Sequence, residues 1–136
     1  MHRARSILPT ALLALALSAC DTRIPSAPSL NPQVVNLRDD FAFQATGLAG
    51  VTEDAVFSWE ITGTTATVDQ TPSALLGDAT IFVSDANGVQ VYQRSLAVNG
   101  NFVTAAGAPG TWTIRMHFAD ASGNVGLHLG KQPLVP

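Results

Sequence analysis

One thiol, a few imidazoles and scattered carboxylates are the only side chains in this 136-residue chain whose types suit chemistry. Cys20 is the sole cysteine, which excludes an intramolecular disulfide, a thiolate zinc cluster and a dithiol redox pair. It leaves one strong nucleophile, whose thiolate suits alkylation. His117 and His128 flank a turn-like stretch, Asp120-Ala121-Ser122-Gly123. If the chain folds back there with Phe118 facing Val125, His128 lies opposite Arg115 and diagonal to His117. Two imidazoles so placed suit one metal ion, as in copper handling. However, Met116 points to the core with Trp112 and Ile114, Arg115 repels a cation, and a third ligand is missing. A solvated polar face carrying two histidines accounts for the pair more simply.

Hard oxygen donors offer a second metal reading. Asp85 with Asn87, and Asp120 with Asn124, place calcium-type ligands on loops, and Asp39-Asp40 and Glu53-Asp54 add two acidic pairs. None has the spacing of a full calcium loop, and Asp and Asn at turns ordinarily bond their own backbone. Phe82 and Tyr92, both on the face away from Val83 and Val91, form either a stacking platform for a ligand or partner, or part of the core. Glu60 beside Trp59 has no second carboxylate at glycosidase separation. No serine lies in a Gly-x-Ser-x-Gly elbow. These residues point away from an enzyme.

The position of Cys20 explains its solitude. Arg3 and Arg5 form a short positive region, and Ile7 to Leu17 an apolar run of the length of a secretory signal. That run is shorter than the roughly 20 residues of a permanent membrane span. Ala4 separates the arginines, which favours general secretion over a twin-arginine route. Leu17-Ser18-Ala19-Cys20 resembles the lipobox of bacterial lipoproteins. The resemblance implies that residues 1–19 are a signal peptide, that diacylglycerol is attached to the Cys20 thiol, and that the mature chain begins there. It further implies a cell-envelope protein on the exported side of the membrane, where two or three acyl chains anchor stably and one would be marginal. Asp21 resembles the residue that retains enterobacterial lipoproteins on the inner membrane. Because sorting rules differ between bacterial groups, the choice of inner or outer membrane stays open.

From Cys20 onward, five basic residues (Arg23, Arg38, Arg94, Arg115, Lys131) stand against ten acidic ones, a net charge of −5. That balance excludes the electrostatic footprint of nucleic-acid binding and of docking on anionic headgroups. Residues 20–32, with three prolines among Asp21-Thr22-Arg23-Ile24-Pro25-Ser26-Ala27-Pro28-Ser29-Leu30-Asn31-Pro32, read as the lipidated residue and a flexible tether. As polyproline II, at about 3.1 Å per residue, residues 21–32 reach up to ~37 Å. Residues 33–136 form the folded domain.

That domain reads as strands. Apolar residues alternate with period two at Phe41, Phe43 and Ala45; at Phe57, Trp59 and Ile61; at Trp112, Ile114, Met116 and Phe118; and at Val125, Leu127 and Leu129. Asp85-Ala86-Asn87-Gly88 predicts a three-residue hairpin loop with Gly88 left-handed, placing Val83 opposite Val91 and Phe82 opposite Tyr92. Asn99-Gly100 predicts a two-residue type I′ hairpin and Asp120–Gly123 a third hairpin, with a crossing loop over 105–110. Seven or eight short strands argue for a single all-β antiparallel β-sandwich, immunoglobulin-like, with a jelly roll as the alternative. The stretch from Gly77 to Gly123, through Ala79-Thr80-Ile81-Phe82-Val83, the Asp85–Gly88 turn and Gly110-Thr111-Trp112-Thr113-Ile114, resembles the C-terminal halves of bacterial immunoglobulin-like envelope modules. The expectation is a lipid-anchored, non-catalytic module that binds or supports an envelope partner protein and carries no cofactor beyond its acyl lipid. A ligand- or calcium-binding module is the alternative, and a small envelope enzyme the second alternative.

Overall fold

A computed structural model describes residues 30–133; the signal segment, Cys20 and the tether up to residue 29 lie outside the described residues. The described chain is all-β, as its alternation predicts. Its strands are β1 (Gln33–Leu37), β2 (Asp40–Ile61), β3 (Ala66–Gln70), β4 (Ser73–Ser84), β5 (Gln90–Ser95), β6 (Gly100–Val103) and β7 (Gly110–Lys131). Every pairing is antiparallel.

The fold is an antiparallel β-sandwich with an economical construction. Strands β2 and β7 are each 22 residues long and pair from Asp40↔Gly130 to Ile61↔Gly110. Both bend at mid-length, so each serves both layers. One layer joins β1, the first half of β2, the second half of β7, β3 and β6; the other joins the second half of β2, the first half of β7, β4 and β5. Such corners need bulges, where an extra residue re-aims the strand. The register of β2 slips between Ala45 and Glu53, and that of β4 between Ser73 and Asp78. Left-handed residues mark the fold line on three neighbouring strands: Gly47 and Gly50 on β2, Ala74 and Gly77 on β4, Asp120 and Gly123 on β7.

This bend replaces the hairpin expected at Asp120–Gly123. The turn-forming residues are there, but a strand bulge uses the same left-handed conformations and small side chains as a turn. Polar side chains take up backbone donors freed along the bend. Gly47 N–H donates to Asn124 Oδ1 (2.9 Å), Gly50 N–H to Ser122 Oγ (3.0 Å) and Asp120 N–H to Thr52 Oγ1 (2.9 Å).

Two further registers differ from expectation. The Asp85–Gly88 turn forms as predicted, with Gly88 N–H donating to Asp85 O and Gly88 left-handed. A bulge beside it shifts the pairing, so Val83 faces Tyr92 and Phe82 faces Gln93. Val91 and Tyr92 are consequently both buried. Asn99-Gly100 is no hairpin centre, because β5 and β6 lie in different layers and β6 pairs with β3. The chain instead turns over Ser95–Val98, with Val98 N–H donating to Ser95 O. Gln70, only 1% exposed, clamps that crossing by donating through Nε2 to Ser95 O (2.9 Å) and Val98 O (2.7 Å). Its Oε1 accepts from Tyr92 Oη (2.7 Å).

The core fills with the residues whose alternation announced it. Trp59 and Trp112 meet edge to face at 6.2 Å, and Phe43 stacks on Phe118 at 6.4 Å. Each indole N–H has an acceptor, Leu37 O for Trp59 and Ala108 O for Trp112. Burial begins ahead of β1: Leu30, within the stretch read as tether, is 3% exposed, and its N–H donates to Glu53 Oε1.

The fold line predicts a graded response to alanine. A Cβ on Gly123 would lie 2.3 Å from Ala74 O, and one on Gly77 2.1 Å from Asp120 O, whereas one on Gly47 meets nothing within 4 Å. Gly47→Ala is expected to cost about 1–2 kcal/mol, the left-handed penalty alone. Gly77→Ala and Gly123→Ala should each cost clearly more, because backbone must also move. Equal losses in chemical denaturation would contradict the bend.

Candidate functional site

The two histidines are not a pair. They lie eleven positions apart on β7, on either side of its bend, and face outward from different layers. The diagonal His117–His128 arrangement required a hairpin that the chain does not make. Each imidazole instead meets a carboxylate on β2. His117 Nδ1 lies 2.5 Å from Asp54 Oδ1, and Arg115 Nη1 donates to Asp54 Oδ2 at 3.1 Å. His128 Nε2 lies 2.6 Å from Asp40 Oδ1, and its Nδ1 is 3.8 Å from Asp69 Oδ2 on β3. Met116 is buried, away from either ring.

The aromatic platform is also absent. The bulge at Val83/Ser84 turns Tyr92 inward, where it bonds Gln70, while Phe82 stays partly exposed under the Arg115 guanidinium at 4.2 Å. Burial pushes the Tyr92 hydroxyl above the usual tyrosine range.

The four calcium candidates are not brought together. Asp85 follows Ser84, which pairs with Thr113, so Asp120 is about 23 Å further along β7 at ~3.3 Å per residue. The Asp85 carboxylate accepts three backbone N–H groups, from Asn87, Val89 and Ala108, each at 2.9 Å. These bonds, led by the one from Ala108, hold its carboxyl below the usual range. Asn87 is exposed at the turn tip, and Asn124 is engaged at the bend. Among the described residues, no three His, Cys, Asp or Glu side chains are grouped to hold a metal ion. Glu60 is exposed and faces Arg38 at 3.7 Å.

What the fold does assemble is a groove on the outer face of the β1–β2–β7–β3 layer. A depression of about 490 Å³ runs from Val34 and Val35 of β1, across Ala42 and Gly126, to Asp69 of β3 and Thr71 just after it, with His128 at its side. Gln33 and Gln44, which pair across β1 and β2, also border a second depression of about 620 Å³ beside Asn31 and Thr46. Gly126, two positions from His128 on that face, presents no side chain and leaves the groove open there. At Gly126 there is no room for one, since a Cβ would sit 2.3 Å from Thr71 Oγ1. In the sequence Asp40 stands out only as half of an acidic pair, and nothing there marks Asp69. Their partnership with His128 depends on strand neighbours 59 or more positions away in sequence.

No family model matches the chain, and no curated protein matches it. Among solved structures, it is similar to a chain in the structure of infectious bursal disease virus Gt strain at 16% identity and TM-score 0.35, over 85% of this chain and 36% of that one. It is similar to a chain of accessory secretory protein 1,2 and 3 in Streptococcus pneumoniae at 10% identity and TM-score 0.37, over 84% of this chain and 100% of that one. A chain of the Glycosylation Associate Protein (Gap123) complex from Streptococcus agalactiae gives 11% identity and TM-score 0.38, over 86% of this chain and 46% of that one. This chain thus spans little more than a third of the viral chain that it matches. With TM-scores this low, the fold assignment rests on the strand pairing itself.

Two outcomes follow from the ion pairs and the turn. The hydrogen bond from His117, aided by Arg115 and opposed by partial burial, holds the Asp54 carboxyl below its usual range. A depressed carboxyl stabilises the fold above its unfolded-state pKa, and that contribution is lost as pH falls through the folded value. Asp54→Asn should therefore flatten the acid limb of a stability–pH profile; an unchanged limb would show that the pair adds nothing. Calcium and chelator should both leave the melting temperature unmoved, because Asp85 is engaged by backbone. A calcium-dependent rise would mean that these oxygens can turn to an ion.

Proposed function

We propose that this chain is a lipid-anchored lipoprotein of the bacterial cell envelope whose β-sandwich is a non-catalytic binding or accessory module for a partner protein. The observation that carries the reading is Leu17-Ser18-Ala19-Cys20 at the end of an apolar run behind Arg3 and Arg5, with Cys20 the sole cysteine of the chain. Thiol alkylation gives that residue a purpose that no disulfide or metal cluster can. Among the described residues, no helix is long and apolar enough to cross a membrane. A thioether-linked lipid on Cys20 would tie the chain to the bilayer without one.

The reading of the domain as a binder draws on its outer faces. His117 and His128 each spend a ring nitrogen on an aspartate, and both pairs are about half exposed. Such exposed pairs contribute little to stability, typically 0–1 kcal/mol. They are available to partners. The groove beside β1 is open and elongated, in keeping with a surface that receives another chain.

The deciding experiment compares the native protein with Cys20→Ala. Membrane fractionation and intact-mass measurement should show the variant unacylated and either released or retained as uncleaved precursor; an acylated variant would refute the anchor. Crosslinking in native membranes, read by mass spectrometry, should recover one dominant partner with the native form and lose it with the variant. Recovery of none would refute the accessory role.

A further inference from the structure

We propose that the groove between β1 and β3 is the partner-docking surface, and that it takes an extended, lysine- or arginine-bearing segment of that partner. The inference rests on the reading of the domain as a partner-binding module and names where and what it binds.

Shape argues for an extended occupant. The two depressions share Gln33 and Gln44 in their walls, and the first is an open trough that crosses the outer face from β1 to β3. The wall along β1 is apolar, with Val35 48% exposed on an edge strand whose burial is low throughout. Aliphatic stems of long basic side chains suit such a wall, because they bury methylenes while the charged head reaches a polar rim.

Charge argues for a cationic occupant. Asp40 and Asp69 flank His128 from the two strands that border β7, and both carboxylates are about half exposed. Among the described residues, His128 is their only partner of possible positive charge, and it carries that charge only when protonated. Every lysine and arginine among the described residues is engaged elsewhere: Arg38 with Glu60, Arg115 with Asp54 and Phe82, Arg94 over Phe102, and Lys131 with Thr62. None lines the groove. Asp69 thus lines the groove and Asp40 stands beside it across His128, two carboxylates without a permanent counter-charge among the described residues, next to an apolar wall. A partner's ammonium or guanidinium can compete with His128 for them, with charge-assisted bonds and bidentate geometry favouring arginine. The opposite layer presents no equivalent, because Arg115 already neutralises Asp54 at 3.1 Å.

The test is a titration of the isotopically labelled full chain, in zwitterionic detergent, with the peptide Gly-Arg-Gly-Arg-Gly and its glutamate counterpart. The expected result is a saturable set of amide and imidazole shifts confined to Val35, Gly126, His128 and Gly130, produced by the basic peptide alone. Asp40→Asn with Asp69→Asn should weaken binding at least tenfold. Val35→Lys, an exposed edge substitution that adds a cation, should weaken it as well, and this second variant serves if the first alters the fold. Absence of shifts, equal shifts around Asp54 and Arg115, or an equal response to the acidic peptide would overturn the proposal. Crosslinking separates it from the broader reading. A partner captured equally by the native and doubly substituted forms overturns the groove alone. No partner with the native form removes the module reading, and the groove proposal with it.

Discussion

Everything in this domain hangs on one ladder, the antiparallel pairing of β2 with β7. Strands of 22 residues are long for a sandwich, and a flat pair of that length would leave one face of each strand in water. Bending the pair in the middle folds its apolar face on itself. Phe41, Phe43, Leu127 and Leu129 then look across at Trp59, Trp112, Ile114 and Phe118, and a single ladder supplies the centre of both layers. The other strands attach to its halves. The bend is therefore where the backbone is least free: β4 crosses β7 there with Gly77 and Gly123 pressed against opposing carbonyls.

Polar groups inside and at the rim define the connections that hydrophobic burial leaves open. Gln70 sits at the inward position of β3 after Ala66 and Val68, so the alternation that makes a core also buries an amide. Its bonds to Ser95 O, Val98 O and Tyr92 Oη join the two layers where β5 passes to β6. Each of these groups would cost about 1–3 kcal/mol if buried unpaired, so the arrangement selects one crossing against alternatives. Asp85 performs the same service at the other end, gathering three backbone donors from its own turn and from the 104–109 loop. Exposed ion pairs such as Arg38–Glu60 decide little of this.

The functional surfaces follow from the same bend. It carries His117 and His128, close in sequence, to the outer faces of different layers and gives each its own aspartate. On one of those outer faces β1, β2, the Gly126 stretch of β7 and β3 lie side by side and carry the groove. A domain of this kind, held by lipid at its N-terminus, would present its outer faces to neighbours in the envelope.

Much was legible in the residues alone. Period-two alternation identified the core faces and the all-β class, because burial on one side of a strand writes itself into every second residue, and turn residues identified the Asp85–Gly88 loop though not its register. The lipobox resemblance and the solitary cysteine are local in the same sense and require no fold to be read. Strand length and partner choice were not legible. Asp120, Ser122, Gly123 and Asn124 carry the chemistry of a turn, and a bulge in a continuous strand asks for the same residues; only the ladder to Leu48, Val51 and Leu76 distinguishes them. Asn99-Gly100 likewise satisfies a hairpin locally, yet burial of Leu96 and the clamp of Gln70 move the turn forward and send β6 to the other layer. The Asp40–His128–Asp69 cluster unites three strands and exists only after they pair. Sequence by itself thus determined the all-β class and which side of the alternating segments is buried, since those depend on near neighbours. Tertiary structure alone decided which segments meet, because that depends on long-range burial and hydrogen-bond satisfaction that no local window contains.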